Sequence, residues 1–408
     1  LPVARHRILL PIWGVLFGVG FWLAARKKSQ PVKMVAILNI VALIAIAFPL
    51  FKLGMYYSRA SQAQLVFTPV ELPPLSFPAG QTPPDVYYIV LDAYGSSHVL
   101  SSLMDYDNSE LLDQLRAQGF FIADCSQSNY AFTSLSMVSS LNFNYLEDID
   151  PSFTRDGDDE SIPLYLKRNT VRYLLEDLGY KTVAFETGFE WSEIHDADLY
   201  LSQTRWRGWN EFEALLVNTS ILRSLYDFNL QQLPSVDTSA HRERVLFAME
   251  SLKELPSAVA PKFVFAHLVI PHDPHDIGPE GEYIHGWDSS TREGYYEGYI
   301  RQAAYLEKIL PEVTAAILAN SPTPPIIIIQ GDHGPWDYRD LSDRLAILNA
   351  YYLPGGSDAL YATITPVNTF RVIFNAYFGG DFELLEDHSY FSISADPFNL
   401  EEIPNTCM

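Results

Sequence analysis

Nine residues near position 330 limit what this chain can fold into: Ile326 Ile327 Ile328 Ile329 Gln330 Gly331 Asp332 His333 Gly334. Four consecutive isoleucines closed by glycine read as a β-strand buried on both faces. Asp332 and His333 follow at its carboxyl end, and Gly331 and Gly334 free the backbone to turn there. A second apolar run, Val86 Tyr87 Tyr88 Ile89 Val90 Leu91, ends the same way in Asp92. In open α/β sheets, ligands gather outside the carboxyl ends of the strands. Two such strands bring Asp and His, ordinary ligands of divalent metals, to one sheet edge. Taken singly, Asp92 reads equally well as a turn or cap residue, and an Asp-His pair is common.

Apolar runs alternate with helical periodicity along much of the chain. Strands are expected at 86–91, 120–123, 181–185, 262–270 and 326–329. Helices are expected at 106–118, 164–178, 245–255, 292–318 and 370–378, and the second half of the aromatic region 191–233 also reads as helical. The fold class is therefore α/β, with a mainly parallel central sheet and helices on both faces. The 408 residues suffice for one large domain or two ordinary ones.

Upstream, Ile8–Ala25 and Met34–Phe51 carry no charge. Each is near the lower length limit of a membrane span, so two transmembrane helices are expected. Gly14 and Gly18 have a spacing that allows close helix contact. The basic loop Arg26 Lys27 Lys28 between the runs places it in the cytoplasm and the rest outside. The organisation expected is a membrane segment over 1–57, a Pro-rich extracytoplasmic tether over 58–84, and a catalytic domain over 85–408. The localisation expected is the cell membrane, multi-pass, with the catalytic domain extracytoplasmic. Leu1 in place of Met leaves room for further spans before it.

The formal charge of -23 at pH 7 argues against nucleic acid, which needs a basic footprint. Cys125 and Cys407 are the only cysteines. They exclude a cysteine-built zinc site, and they read as one disulfide or as two free thiols.

Two further segments carry polar chemistry. The first, Phe265 to Asp276, holds His267, His272, Asp273, His275 and Asp276. His267 sits in an apolar strand, where it reads as a buried hydrogen-bonded histidine or as a substrate contact. His272 and His275, in a Pro-bounded turn, suit phosphate oxygens, a leaving-group proton or a second ion. Asp273 and Asp276 read as further ligands or as a surface acidic turn. The second segment runs from Ser128 through Asn129 and Tyr130 to Thr133, which opens a helix. A helix N-terminus stabilises anions, and a hydroxyl there can attack phosphorus or serve as an N-cap.

In the order strand-Asp, Ser128 Asn129 Tyr130 with Thr133, His-rich segment, then Gly331 Asp332 His333 Gly334, the chain resembles the alkaline phosphatase superfamily. The branch is the sulfatase-like one of lipoteichoic acid synthases and phosphoglycerol transferases, over roughly residues 86–391. The resemblance implies one divalent ion (Mn, Zn or Mg) bound by Asp92, Thr133, Asp332 and His333, with Thr133 the nucleophile. It leaves room for a second ion, with Asp273, His388, His272 and His275 as candidates. Asn129 and His267 would contact substrate, and His272 or His275 would protonate the leaving alcohol. The formylglycine signal of true sulfatases is missing, because Cys125 has Gln127 where a proline belongs. Phe132 stands where many relatives have a polar residue.

The function implied is a metal-dependent phosphodiester hydrolase or phosphoalcohol transferase acting on lipid head groups or surface glycans. The competing expectation is a catalytically silent structural subunit of a membrane protein complex. Trp191, Trp206, Trp209, Trp287, Tyr295, Tyr296 and Trp336 are candidates for the rim of the site or for the core. Asn218 Thr219 Ser220 matches a glycosylation acceptor.

Overall fold

Strand β1 (Val86–Leu91) is buried along its whole length, and its side chains divide between two cores. Tyr87, Ile89 and Leu91 face one hydrophobic cluster, and Val86, Tyr88 and Val90 face the other. That two-residue alternation between two apolar layers is why the strand reads as an unbroken apolar run. The computed structural model describes residues 6–26, 31–66, 73–78, 80, 82–153, 161–203, 216, 240–258 and 261–407. The expectations on Trp206, Trp209, the Asn218 Thr219 Ser220 motif and the helical half of 191–233 lie outside these residues, apart from Leu216.

By internal contacts the chain divides into two units, Leu1–Thr68 with Gly208–Asp237, and Pro69–Arg207 with Thr238–Met408. In the first, α1 spans His6–Arg26 and α2 spans Pro31–Val66. Trp13, Phe17, Phe21, Leu43, Phe48 and Phe51 are exposed. A Cβ added at Gly14 or Gly18 would meet nothing within 4 Å.

The two expected membrane spans are corrected here. Among the described residues, no helix is long and apolar enough to cross a membrane. Each uncharged run has about 18 residues, the lower limit for crossing roughly 30 Å of hydrocarbon. Lys33 and Lys52 close the second run on either side. The multi-pass localisation, and the orientation argued from the basic loop, lose their basis with the spans. Helix α2 also runs on past Ser58 to Val66, and residues 73–78 form no helix or strand.

The second unit is built on a seven-stranded sheet of order β2-β7-β6-β1-β5-β3-β4. Its strands are β1, β2 (Phe121–Ile122), β3 (Lys181–Phe185), β4 (Leu199–Leu201), β5 (Lys262–Leu268), β6 (Ile326–Gly331) and β7 (Asn349–Tyr352). The pairs β6/β1, β1/β5, β5/β3 and β3/β4 are parallel, and β7 runs antiparallel to β6 and β2. Helices cover both faces. On the first cluster lie α3 (Ser97–Met104), α4 (Ser109–Ala117), α9 (Ala240–Glu254) and α10 (Arg292–Asn320). On the second lie α5 (Thr133–Asn142), α7 (Ile162–Lys167), α8 (Thr170–Asp177) and α12 (Pro366–Tyr377). Two short helices, α6 (Leu146–Ile149) and α11 (Leu341–Leu345), and a hairpin of β8 (Tyr390–Ile393) and β9 (Asp396–Glu402) complete the unit. The single helix expected over 164–178 is two, because Asn169 breaks the run and caps α8 through the Arg172 amide. A disulfide joins Cys125 to Cys407. Ser76 N–H donates to the Phe378 carbonyl, and Phe77 packs on the Phe378 ring.

Candidate metal centre

The register of the three central strands assembles the site. Leu91 pairs with both Gly331 and Leu268, so Asp92 and Asp332 emerge side by side one residue beyond the pairing. His267 pairs with Val90, one residue before the end of β5. Asp92, His267 and Asp332 each offer one ligand atom, and those atoms lie within 4.8 Å of one another. His267 Nε2 is 3.2 Å from Asp92 Oδ2. Asp332 Oδ1 accepts the amides of Ala93 and His333. Ala93 has a φ of 66°, a left-handed conformation unusual for a residue with a side chain, and it lets that amide point at the carboxylate. The remaining oxygens, Asp92 Oδ1 and Asp332 Oδ2, are buried with no hydrogen-bond partner among the described residues. Two orphaned carboxylate oxygens converging in a buried space fit a cation.

His333 is held in one tautomer. Its Nδ1–H donates to the Gly334 carbonyl at 2.9 Å, which leaves the Nε2 lone pair facing the acids. Nε2 lies 3.0 Å from Thr133 Oγ1, 3.4 Å from Asp332 Oδ2 and 3.7 Å from Asp92 Oδ1. Thr133 is the first residue of α5; the cap is Phe132, and no side chain caps this helix end. The hydroxyl is thus turned toward His333 rather than back onto its own helix.

Electrostatics agree with a cation site. Burial, and then the neighbouring Asp92 charge, push the Asp332 carboxyl up to about 7. Asp92 is displaced downward: burial opposes its charge, but His272, His267 and His333 outweigh it. Burial, and then the Arg344 guanidinium, hold His333 well below the usual imidazole range, in its neutral, ligating form. His272 is raised, because Asp92 and its other partners overcome the penalty of burial.

Of the other sequence candidates, His272 lies at the margin of the cluster. Its Nδ1–H donates to the Asp273 carbonyl, and its Nε2 accepts the Trp336 indole N–H at 3.3 Å. His275 is turned away: Nδ1 meets Ser289 Oγ and Nε2 meets the Pro271 carbonyl, so both nitrogens are engaged elsewhere. Asp273 lies 3.1 Å from His275 Nδ1. Asp276 pairs with His241, whose other nitrogen contacts the Val269 carbonyl, and so ties α9 to the His-rich turn. Asn129 is consumed structurally by Thr365, the His388 carbonyl and the Val367 amide. His388 faces Glu402 and Glu386 at the β8–β9 hairpin. The structure thus brings Asp92, Thr133, His267, Asp332 and His333 together, with His272 beside them. It does not bring in His275, His388 or Asn129. His267, expected as a substrate contact, offers a ligand atom to the Asp92–Asp332 cluster. Among the rim aromatics, Trp191 lies near the His267 ring and Trp336 beside His272, whereas Trp287 stacks on Arg301.

Gly334 is required by close approach. A Cβ there would overlap the Asp343 carbonyl oxygen. Gly334→Ala is expected to cost about 1–3 kcal/mol and to displace the carbonyl that orients His333. A thermal melt together with a zinc titration checks both effects.

No protein-family model matches the chain, and no curated protein matches it. Solved structures do. The C-terminal periplasmic domain of EcEptC from Escherichia coli, in complex with Zn, aligns at 13% identity and a TM-score of 0.51, covering 81% of this chain and 96% of that one. The lipooligosaccharide phosphoethanolamine transferase A (EptA) from Neisseria meningitidis aligns at 12% and 0.48, covering 91% and 70%. The lipoteichoic acid synthase LtaP from Listeria monocytogenes aligns at 14% and 0.48, covering 78% and 80%. At such identities the first of these speaks for the fold alone. That likeness, with the strand order, shows that the second unit of this chain shares the α/β fold of that EptC domain.

Proposed function

We propose that the chain is a metal-dependent phosphodiester hydrolase or phosphoalcohol transferase with Thr133 as nucleophile, acting on lipid head-group or surface-glycan phosphodiesters. The observation that carries this reading is the convergence of Thr133 Oγ1, His333 Nε2 and the two orphaned carboxylate oxygens in one buried space. Asp92, Asp332, His333 and Thr133 would hold the ion, with His267 as a further ligand. A divalent ion there supplies a Lewis acid that favours the ionised hydroxyl and offsets phosphoryl charge. The EptC domain of like fold was solved with Zn, and zinc is the first ion to test.

The residues divide the remaining work. Thr133 loses its proton to solvent and bonds to phosphorus as the ester oxygen departs. His272 gives the departing alcohol its proton, which its raised pKa suits. Water or a second alcohol then releases the phosphothreonine. The Cys125–Cys407 disulfide supports work in an oxidising compartment.

The test is a metal analysis of the purified protein and a chromogenic phosphodiester assay. Thr133→Ala is expected to keep most of the bound metal and lose turnover by about 10^3-fold or more. Turnover that survives Thr133→Ala rejects the nucleophile. Bound metal with no phosphodiesterase activity in the wild type returns the chain to the structural-subunit alternative.

A further inference from the structure

Arg344 is among the largest fully buried side chains, 1% exposed, and nothing in the chemistry above uses it. It lies on α11 beside the metal centre. Its Nε–H donates to the Ala131 carbonyl at 3.0 Å, two residues before Thr133. Its Nη1–H donates to the Gly334 carbonyl at 2.5 Å, the same oxygen that takes the His333 Nδ1–H. The guanidinium therefore clamps the entry to the Thr133 helix onto the Asp332–His333 loop. Its third nitrogen, Nη2, is buried with no partner among the described residues. An unpaired buried guanidinium donor is costly unless something anionic arrives to take it.

One aromatic ring lies over this guanidinium. The Trp336 ring centroid lies 4.4 Å from the Arg344 guanidinium carbon, and the Trp336 indole N–H donates to His272 Nε2. The Phe132 ring meets the indole edge-on, with centroids 6.2 Å apart. Trp336 is itself 44% exposed. One partly exposed aromatic ring thus engages His272 Nε2 and lies over the Arg344 guanidinium.

We propose that Arg344 forms an oxyanion pocket beneath Trp336, opened when a tetrahedral phosphate group displaces the indole and accepts Arg344 Nη2–H. This deepens the proposed phosphodiester chemistry and rests on it for the class of ligand. It assigns Phe132 a part as well: its ring is one wall of the indole's resting place. A polar side chain there would not hold the cover closed in the same way.

The test reads binding, not turnover. The zinc-loaded protein is titrated with inorganic phosphate, and separately with glycerophosphoethanolamine as a soluble head-group diester, while tryptophan fluorescence is followed. The wild type is expected to show a saturable change that Trp336→Phe removes without weakening phosphate affinity measured by calorimetry. Arg344→Met is expected to weaken phosphate about thirtyfold or more. Arg344→Lys, which keeps charge but not the fork, recovers only part. If Arg344→Met fails to fold, Arg344→Lys and Trp336→Phe still decide.

Response to free phosphate identifies a general phosphate pocket, and response to the diester alone identifies a head-group pocket; either supports the inference. It is overturned if a folded Arg344 variant binds both anions as the wild type does, or if the fluorescence change persists in Trp336→Phe. Because these readouts need no turnover, a wild type that binds phosphate through Arg344 but cleaves no diester rejects the enzymatic reading and leaves the pocket standing.

Discussion

Asp332→Asn is expected to abolish tight zinc or manganese binding, and yet to make the metal-free protein more stable than the wild type at pH 8. Both effects come from one carboxylate. In the folded chain the Asp332 carboxyl is raised to about 7, first by burial and then by the charge of Asp92. In the unfolded chain an aspartate titrates near 4. Between those two values the folded state holds a proton that the unfolded state has lost. Stability without metal is therefore fully present below about pH 4 and falls as pH rises toward 7. The cost of ionising Asp332 in its site is on the order of 4 kcal/mol.

An asparagine removes that cost while its Oδ1 keeps both amide hydrogen bonds, from Ala93 and His333. The ion acts in the opposite direction on the wild type, since a ligand at about 1,000 times its dissociation constant adds about 4 kcal/mol. Melting curves at pH 5 and pH 8, in chelator and in zinc, separate the two. Wild type in chelator should melt lower at pH 8 than Asp332→Asn, and zinc should raise the wild type alone. A variant that zinc stabilises as much as the wild type would remove Asp332 from the centre.

Much of this arrangement was legible in the sequence where a single physical signal sufficed. Strands buried on both faces leave runs such as Val86–Leu91 and Ile326–Ile329, and their ends name Asp92 and Asp332 directly. Thr133 is singled out by its place at the start of a helix together with the family resemblance, since a hydroxyl there can equally serve as an N-cap. Direction was not legible. His275 and His388 belong to the right residue type, but spacing does not say that their nitrogens turn to Ser289 and Glu402. Strand β7 begins with Asn349, whose side chain is spent on Gln330, Ser126 and Ile364 inside the sheet, so its polarity masks it. Arg344 sits in Asp340 Leu341 Ser342 Asp343 Arg344, which reads as a solvated charged turn. Only the capping box formed by Asp340 and Asp343 hints that the turn is ordered. The uncharged runs near the start of the chain are a different case: they stand at the lower length limit of a span, and no described helix is long and apolar enough to cross a membrane.

At the other end of the sheet, Lys262→Met is expected to cost about 3–5 kcal/mol of stability, the largest loss foreseen from one surface-remote substitution. Lys262 opens β5 and Asp85 precedes β1; their side chains are 0% and 4% exposed, with Nζ and Oδ2 2.5 Å apart. The Lys262 amide also donates to Asp85 Oδ1, and the Asp85 carbonyl accepts the Ile326 amide. One aspartate therefore joins the starts of the three central strands, whose far ends carry the metal centre. Removing only the ammonium leaves a buried carboxylate with a single amide donor, and its desolvation is no longer offset. The double variant Asp85→Asn with Lys262→Met should recover most of the loss, because a neutral amide keeps the backbone bond without an unpaired charge. Urea unfolding of the single and double variants closes the cycle. Additive losses would mean that the two side chains do not stabilise one another, and that strand alignment here rests on the apolar layers alone.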